Sequence, residues 1–143
     1  MHMRTLGIDF GKKRVGLAVS DETGTIAQSL DYLDGGSDDA VSKSIVQLAS
    51  GRGVTKIVVG VPLSMNGQPS AQTERSLRFI ETLRKSTSLP VERWDERLTT
   101  KQAERALLEG DVRRKDRKEK IDKLAAQLML QSYLDARNQV PPE

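Results

Sequence analysis

The chain has 143 residues, 36% of them hydrophobic, a net charge of +3 and no cysteine, which suits one domain with its own core and excludes disulfides, thiolate nucleophiles and Cys-ligated zinc. A single histidine, His2, excludes a His-rich metal centre and leaves oxygen ligands for any metal; it lies in Met1-His2-Met3, read as a cloning remnant before a natural start at Met3. No run approaches the roughly 18 apolar residues that cross a bilayer, and no signal peptide is visible, so a cytoplasmic protein without a membrane partner is expected.

Leu6 and Ile8 alternate with Gly7 and Asp9, and Val15, Leu17 and Val19 alternate with Gly16, Ala18 and Ser20. With Gly11-Lys12-Lys13 between them, the two runs predict a β-hairpin. A third strand from Thr25 to Leu33, after the turn Asp21-Glu22-Thr23-Gly24, completes an antiparallel meander. The period then changes: Ser37 is placed to cap a helix with Val41, Ile45, Leu48 and Ala49 on one face, stopped by Gly51 or Gly53. Lys56 to Val61, with the unbroken apolar run Ile57-Val58-Val59, predicts a strand covered on both faces and reached by a parallel crossover. After a loop from Pro62 to Pro69, Leu77, Ile80 and Leu83 mark a second helix ending before Leu89-Pro90.

Val91 to Trp94 is a short strand. Thr99 and Gln102 have capping-box spacing, which predicts a third helix from just after Glu96 to near Gly110. Asp116 and Glu119 repeat that spacing and open a last helix to about Arg137, with Ile121, Leu124, Ala125 and Leu128 among its apolar residues; residues 139–143 are a frayed tail. The order βββαβαβαα predicts an α/β fold over residues 1–143: a five-stranded mixed sheet, three antiparallel strands then parallel ones, with helices on both faces.

Three acids hold unusual positions. Asp9 projects from the face of its strand opposite Leu6 and Ile8, beside glycines that let a ligand approach, although an Asp before Gly also commonly begins a turn. Glu96 follows a strand end, where α/β sheets form their clefts. If Glu96 turns toward a site, its neighbour Asp95 faces away into a salt bridge or helix start, with Arg97 as its partner or as a phosphate contact; plain surface placement is the alternative for both acids. Asp122 is in helical line with Ala126, Met129 and Tyr133, and an acid bordering an apolar stripe is best explained by a facing Lys, Arg or cation. Brought together, three carboxylates repel, and one or two Mg²⁺ ions keep them ionised in an arrangement suited to phosphodiester cleavage.

Charge is uneven. From Arg97 to Lys123, ten Lys or Arg stand against six Asp or Glu, with a cluster at Arg113, Arg114, Lys115, Arg117 and Lys118. A solvated helix face explains most such runs, but this one leads into Asp122, which makes a polyanion partner plausible.

Four motifs, in order, carry a resemblance: Gly7-Ile8-Asp9-Phe10-Gly11-Lys12-Lys13-Arg14-Val15-Gly16 on to Asp21; Val58-Val59-Gly60-Val61-Pro62-Leu63 with Gly67; Asp95-Glu96-Arg97-Leu98-Thr99-Thr100; and Asp122-Lys123-Leu124-Ala125-Ala126 with Leu130 to Asp135. They resemble the YqgF/RuvX family of pre-16S rRNA nucleases, also described as Holliday-junction-resolvase-like, over almost the whole chain. The resemblance implies a ribonuclease H-like fold, catalytic and metal-binding roles for Asp9, Glu96 and Asp122 with Mg²⁺ or Mn²⁺, and maturation of the 5′ end of 16S rRNA during ribosome assembly. Precursor rRNA, within the small ribosomal subunit, is the expected partner.

Lys12, Lys13, Arg14 and Arg97 are then candidate phosphate contacts, and Arg113, Arg114, Lys115, Arg117 and Lys118 candidate guides for a nucleic-acid backbone. Two Phe, two Tyr and one Trp leave little for extensive base stacking. Gly60 and Pro62 read as ending a strand and fixing a turn, with Ser64, Asn66 and Gln68 as possible edge contacts. Three other readings compete: a four-way-junction DNA endonuclease, a non-catalytic RNA-binding assembly factor, and an actin-like or sugar-kinase phosphotransferase. Intact acids weigh against the second, and a length that supplies one domain where two are needed weighs against the third. A monomer is preferred to a homodimer, since neither a long heptad pattern nor an apolar surface patch is visible.

Overall fold

The computed structural model describes residues 3–11, 13–64, 66–99 and 114–138, with side chains omitted from 114 to 123. Strands β1 (Thr5–Phe10), β2 (Arg14–Ser20) and β3 (Ala27–Asp34) are followed by α1 (Asp38–Gly51), β4 (Lys56–Val61), α2 (Ala71–Ser86) and β5 (Val91–Asp95), then a single 3-10 turn (Glu96–Leu98) and α3 (Arg114–Asn138). The sheet order is β3-β2-β1-β4-β5, antiparallel from β3 to β1 and parallel from β1 to β5. This is the mixed five-stranded sheet the sequence pattern predicts.

Alternation along the strands divides the interior into two unequal cores. Leu6, Ile8 and Phe10 of β1, Val15, Leu17 and Val19 of β2, and Ile57, Val59 and Val61 of β4 pack beneath α1 and α2, with Phe10 stacked on Phe79 at 4.3 Å. The opposite face is built of small residues. There Ala18, Ala27 and Val58 meet Ala126, Met129, Leu130, Tyr133 and Leu134 of α3, one buried stripe at helical spacing. A Cβ at Gly7 would lie 2.9 Å from the Cβ of Leu130, so glycine at this position lets α3 lie close against the sheet. Helices thus cover both faces, and among the described residues no helix is long and apolar enough to cross a membrane.

Three boundaries differ from expectation. β3 begins at Ala27 rather than Thr25, because the Asp21 carboxylate accepts the backbone N–H groups of Thr25 and Ile26. The Ile26 N–H first, then the Thr23 hydroxyl and the Thr25 N–H, hold the Asp21 carboxyl at about 2. The chain is already helical at Arg114, so Asp116 falls in the first turn of α3, where an acid complements the helix dipole, instead of before it. The third helix expected up to Gly110 lies outside the described residues, as does the tail from 139 to 143; β5 itself runs directly into the 3-10 turn.

One irregularity in the sheet lies outside the sequence pattern. Val15 pairs with Leu33 and Leu17 with Leu30, so two residues of β3, Asp31 and Tyr32, stand opposite the single Gly16. This β-bulge lets Leu30 and Leu33, three apart, both pack on the α1/α2 core.

Candidate active site at the carboxyl edge of the sheet

β1 and β4 run parallel and end at the same edge, and Asp9 lies one residue before the end of β1. Its register partners are Gly16 on β2 and Gly60 on β4. Paired residues share a face, so the Asp9 carboxylate stands on the α3 side of the sheet between two positions without side chains. The gap over Gly60 is filled from β5's end: a Cβ there would lie 2.7 Å from Oε1 and 3.1 Å from Cγ of Glu96. Glycine at 60 therefore makes room for a carboxylate, a reason beyond the turn-forming role read from the sequence.

Glu96 and Asp9 meet as a hydrogen-bonded carboxyl pair. Burial first, then the hydrogen bond and negative charge of Asp9, with a smaller contribution from Asp95, push the Glu96 carboxyl up to about 8. Among the described residues neither acid forms an ion pair with Lys or Arg. Two oxygen donors that must share a proton when alone are suited to a hard divalent cation, which removes the repulsion and takes the proton's place. No cluster of three acids occurs among the described residues. Asp122 is on α3 four residues before Ala126, whose Cβ is 3.4 Å from where a Cβ of Gly16 would be, and its side chain is outside the described residues.

Asp95 takes the other course. Its carboxylate caps the 3-10 turn by accepting the Arg97 N–H at 2.9 Å and binds the Arg97 guanidinium, with Nη2 at 2.6 Å. The side-chain hydrogen bond from Arg97 holds its carboxyl below the usual range. Alternation at the strand end thus sends Glu96 to the site and Asp95 to a salt bridge.

A cleft of about 270 Å³ opens beside Asp9, lined by Gly11, Lys13, Arg14, Gly16, Tyr32 and Ala125. Lys13 and Arg14 therefore stand at the acids, while Lys12 and Arg113 are outside the described residues. Arg114, Lys115, Arg117 and Lys118 form the first turns of α3, with side chains not described. Ser64 and Asn66 are engaged in their own loop: the Ser64 hydroxyl bonds Asn66 Oδ1 and the Gln68 carbonyl, and Asn66 Oδ1 accepts the Gln68 N–H. Tyr32 is the site residue that sequence reasoning misses; its signal is the Leu30 to Leu33 spacing, odd for one face of a regular strand.

The fold and this site define a ribonuclease H-like protein. Thermus thermophilus RuvC in complex with a Holliday junction superposes with a TM-score of 0.62 at 14% identity, covering 96% of this chain and 97% of that one. The fowlpox virus Holliday junction resolvase superposes with a TM-score of 0.54 at 13% identity, covering 94% and 99%. The profile of the RuvX family, described as Holliday junction resolvase, matches residues 3–136, and the chain belongs to that family. Relatives named as candidate pre-16S rRNA nucleases include one from Symbiobacterium thermophilum, 46% identical over 99% of this chain and 98% of its own length. Another, from Geobacillus kaustophilus, is 49% identical over 94% of this chain and 99% of its own.

Proposed function

We propose that the chain is a cytoplasmic, single-domain, divalent-metal-dependent nuclease that cleaves phosphodiester bonds of precursor 16S rRNA at its 5′ end, with Asp9, Glu96 and Asp122 as the metal-binding acids. The observation that carries this reading is the Asp9–Glu96 carboxyl pair, set over Gly16 and Gly60 at the strand ends without a cationic partner among the described residues. A cation facing charge repulsion of this kind is bound strongly, whereas a structural acid is ordinarily paired. Asp122 joins the set because Ala126, Met129 and Tyr133, its helical line, form part of the stripe buried against the sheet. Bound Mg²⁺ or Mn²⁺ supplies Lewis-acid stabilisation of the charge that builds on the phosphate.

The chain's own cations do the rest. Lys13 and Arg14, in the cleft wall, bind the phosphates flanking the cut and hold the backbone across the acids. Lys12, Arg97 and the series Arg113, Arg114, Lys115, Arg117 and Lys118 extend the positive surface along the strand being cleaved, so affinity falls steeply with added salt. The names of the full-length relatives support precursor rRNA as the substrate, and the family description keeps four-way DNA junctions as the second reading.

Incubation with a 16S precursor fragment carrying its 5′ extension, and separately with a four-way DNA junction, in Mg²⁺, Mn²⁺ or EDTA, tests the proposal. Cleavage of the RNA in either metal, none in EDTA, and little cutting of the junction is the expected pattern. Cleavage that persists in EDTA sinks the metal reading; junction cutting without RNA cutting moves the substrate to DNA.

A further inference from the structure

The cleft beside Asp9 holds a feature that metal-assisted hydrolysis does not need. Of the five aromatic residues, Phe10 and Phe79 stack within the larger core and Trp94 packs edge-to-face on Tyr133 under α3. Tyr32 is the fifth, and it lines the cleft. The bulge puts it there: with Leu30 and Leu33 both committed to the α1/α2 core, the extra residue of β3 falls opposite Gly16, whose missing side chain leaves the space between Tyr32 and Asp9 open. Two strand spacings, roughly 10 Å, separate the backbone of β1 at Asp9 from β3 at the bulge. Arg14, at the start of β2, lays its guanidinium across the Tyr32 ring, 5.4 Å from the centroid.

A phenol ring and a guanidinium plane in contact form an extended flat surface, apolar on its faces and hydrogen-bonding at its edge. That is the chemistry which receives a nucleobase, with stacking worth about 1–3 kcal/mol per base whatever its identity. A base inside a duplex has both faces covered by its neighbours; an unpaired base offers one. Arg14's N–H groups, directed along the plane, remain suited to a phosphate.

We propose that Tyr32, with Arg14 against its ring, is the stacking platform for an unpaired nucleobase adjacent to the scissile phosphate, so that this cleft selects single-stranded RNA over duplex. The inference rests on the nuclease reading and adds the strandedness of its substrate. The competing role for Tyr32 is to position Arg14 without touching a base.

Binding separates the two. The full chain carrying Asp9→Asn, which blocks cleavage, is titrated with a 12-nucleotide oligoadenylate containing a central 2-aminopurine, with the same length of abasic ribose phosphate, and with the oligoadenylate annealed to its complement. Addition of Tyr32→Leu is expected to weaken single-stranded oligoadenylate binding about tenfold, to abolish 2-aminopurine quenching, and to leave the abasic strand and the duplex unchanged. Tyr32→Phe retains both affinity and quenching, and thermal melts confirm that each variant is folded. Equal weakening of the base-bearing and abasic strands by Tyr32→Leu, or quenching that survives it, overturns the platform while leaving the nuclease reading intact. Absence of binding by all three oligonucleotides at low salt removes the nuclease reading, and the platform with it.

Discussion

Glu92 and Glu96 lie four residues apart, one within β5 and the other in the turn that ends it, yet their surroundings are opposite. Glu92 accepts the Tyr133 hydroxyl at 2.6 Å, with Lys56 at 3.3 Å and Arg137 at 3.6 Å, and these contacts, led by the tyrosine, lower its carboxyl. Glu96 faces Asp9, and burial together with that second acid raises it to about 8. The first acid is compensated by the protein and ties α3 to the sheet; the second is left for something the protein binds. An acid's partners, rather than its presence at a sheet edge, separate a structural from a functional carboxylate here.

Neutralising the uncompensated pair is the strongest way to break that contrast. Asp9→Asn is expected to lower cleavage of a precursor rRNA fragment by about a thousandfold or more, since metal stabilisation of phosphate charge is worth several kcal/mol, while the melting temperature in EDTA does not fall. Retained activity ends the carboxylate-pair reading. Gly60→Ala comes next: its Cβ would meet the Glu96 carboxylate at 2.7 Å and displace it. A misplaced catalytic group costs up to about a hundredfold, so activity is expected to drop by about that factor in a protein that still melts cooperatively. At the other end, Tyr133→Phe removes the hydroxyl between Lys56 and Glu92. A loss of about 1 kcal/mol, seen as a melting temperature about 3 °C lower, with kcat unchanged, is the expected result; a fall in kcat without destabilisation would place catalysis at the wrong end of the sheet.

Much of the fold and of the site is legible in the sequence alone, for physical reasons that also mark where legibility stops. Ser37 and the run Lys56 to Val61 declare a helix cap and a strand because both signals are local: one side chain accepting the Ala40 N–H, and an apolar run long enough for one strand. The opposite fates of Asp95 and Glu96 come from strand alternation alone. Contacts between distant segments are another matter. Gly60 is a glycine because a carboxylate from residue 96 needs its space, and Gly7 because Leu130 does, and neither requirement is visible within its own stretch of chain. The turn-end of β3 escapes the strand pattern since the Asp21 side chain, not a neighbouring strand, takes the N–H groups of Thr25 and Ile26. Tyr32 is the instructive omission: the three-residue step between Leu30 and Leu33 contains the bulge, but only pairing with β2 shows that the spare residue faces the acids.

The smallest expected effect gives the two glutamates opposite signs. Glu96, raised from an ordinary 4.5 to about 8, keeps its proton in the folded protein over a range where the unfolded chain has released it. The stability tied to it is therefore complete below pH 4.5 and is lost as the pH rises toward 8. Glu92, lowered, contributes stability that is present above pH 4.5 and lost as the pH falls through its depressed value. In EDTA the melting temperature is accordingly expected to decline from about pH 5 to about pH 8, and Glu96→Gln to flatten that decline, while Glu92→Gln acts on the acid side alone. Mg²⁺ binds the ionised pair in competition with the proton, so its stabilisation, RT ln(1 + [L]/Kd), is expected to be larger at about pH 8 than at about pH 5. Equal stabilisation at the two pH values, or a decline that survives Glu96→Gln, places the cation away from Asp9 and Glu96 and leaves their mutual repulsion without a purpose.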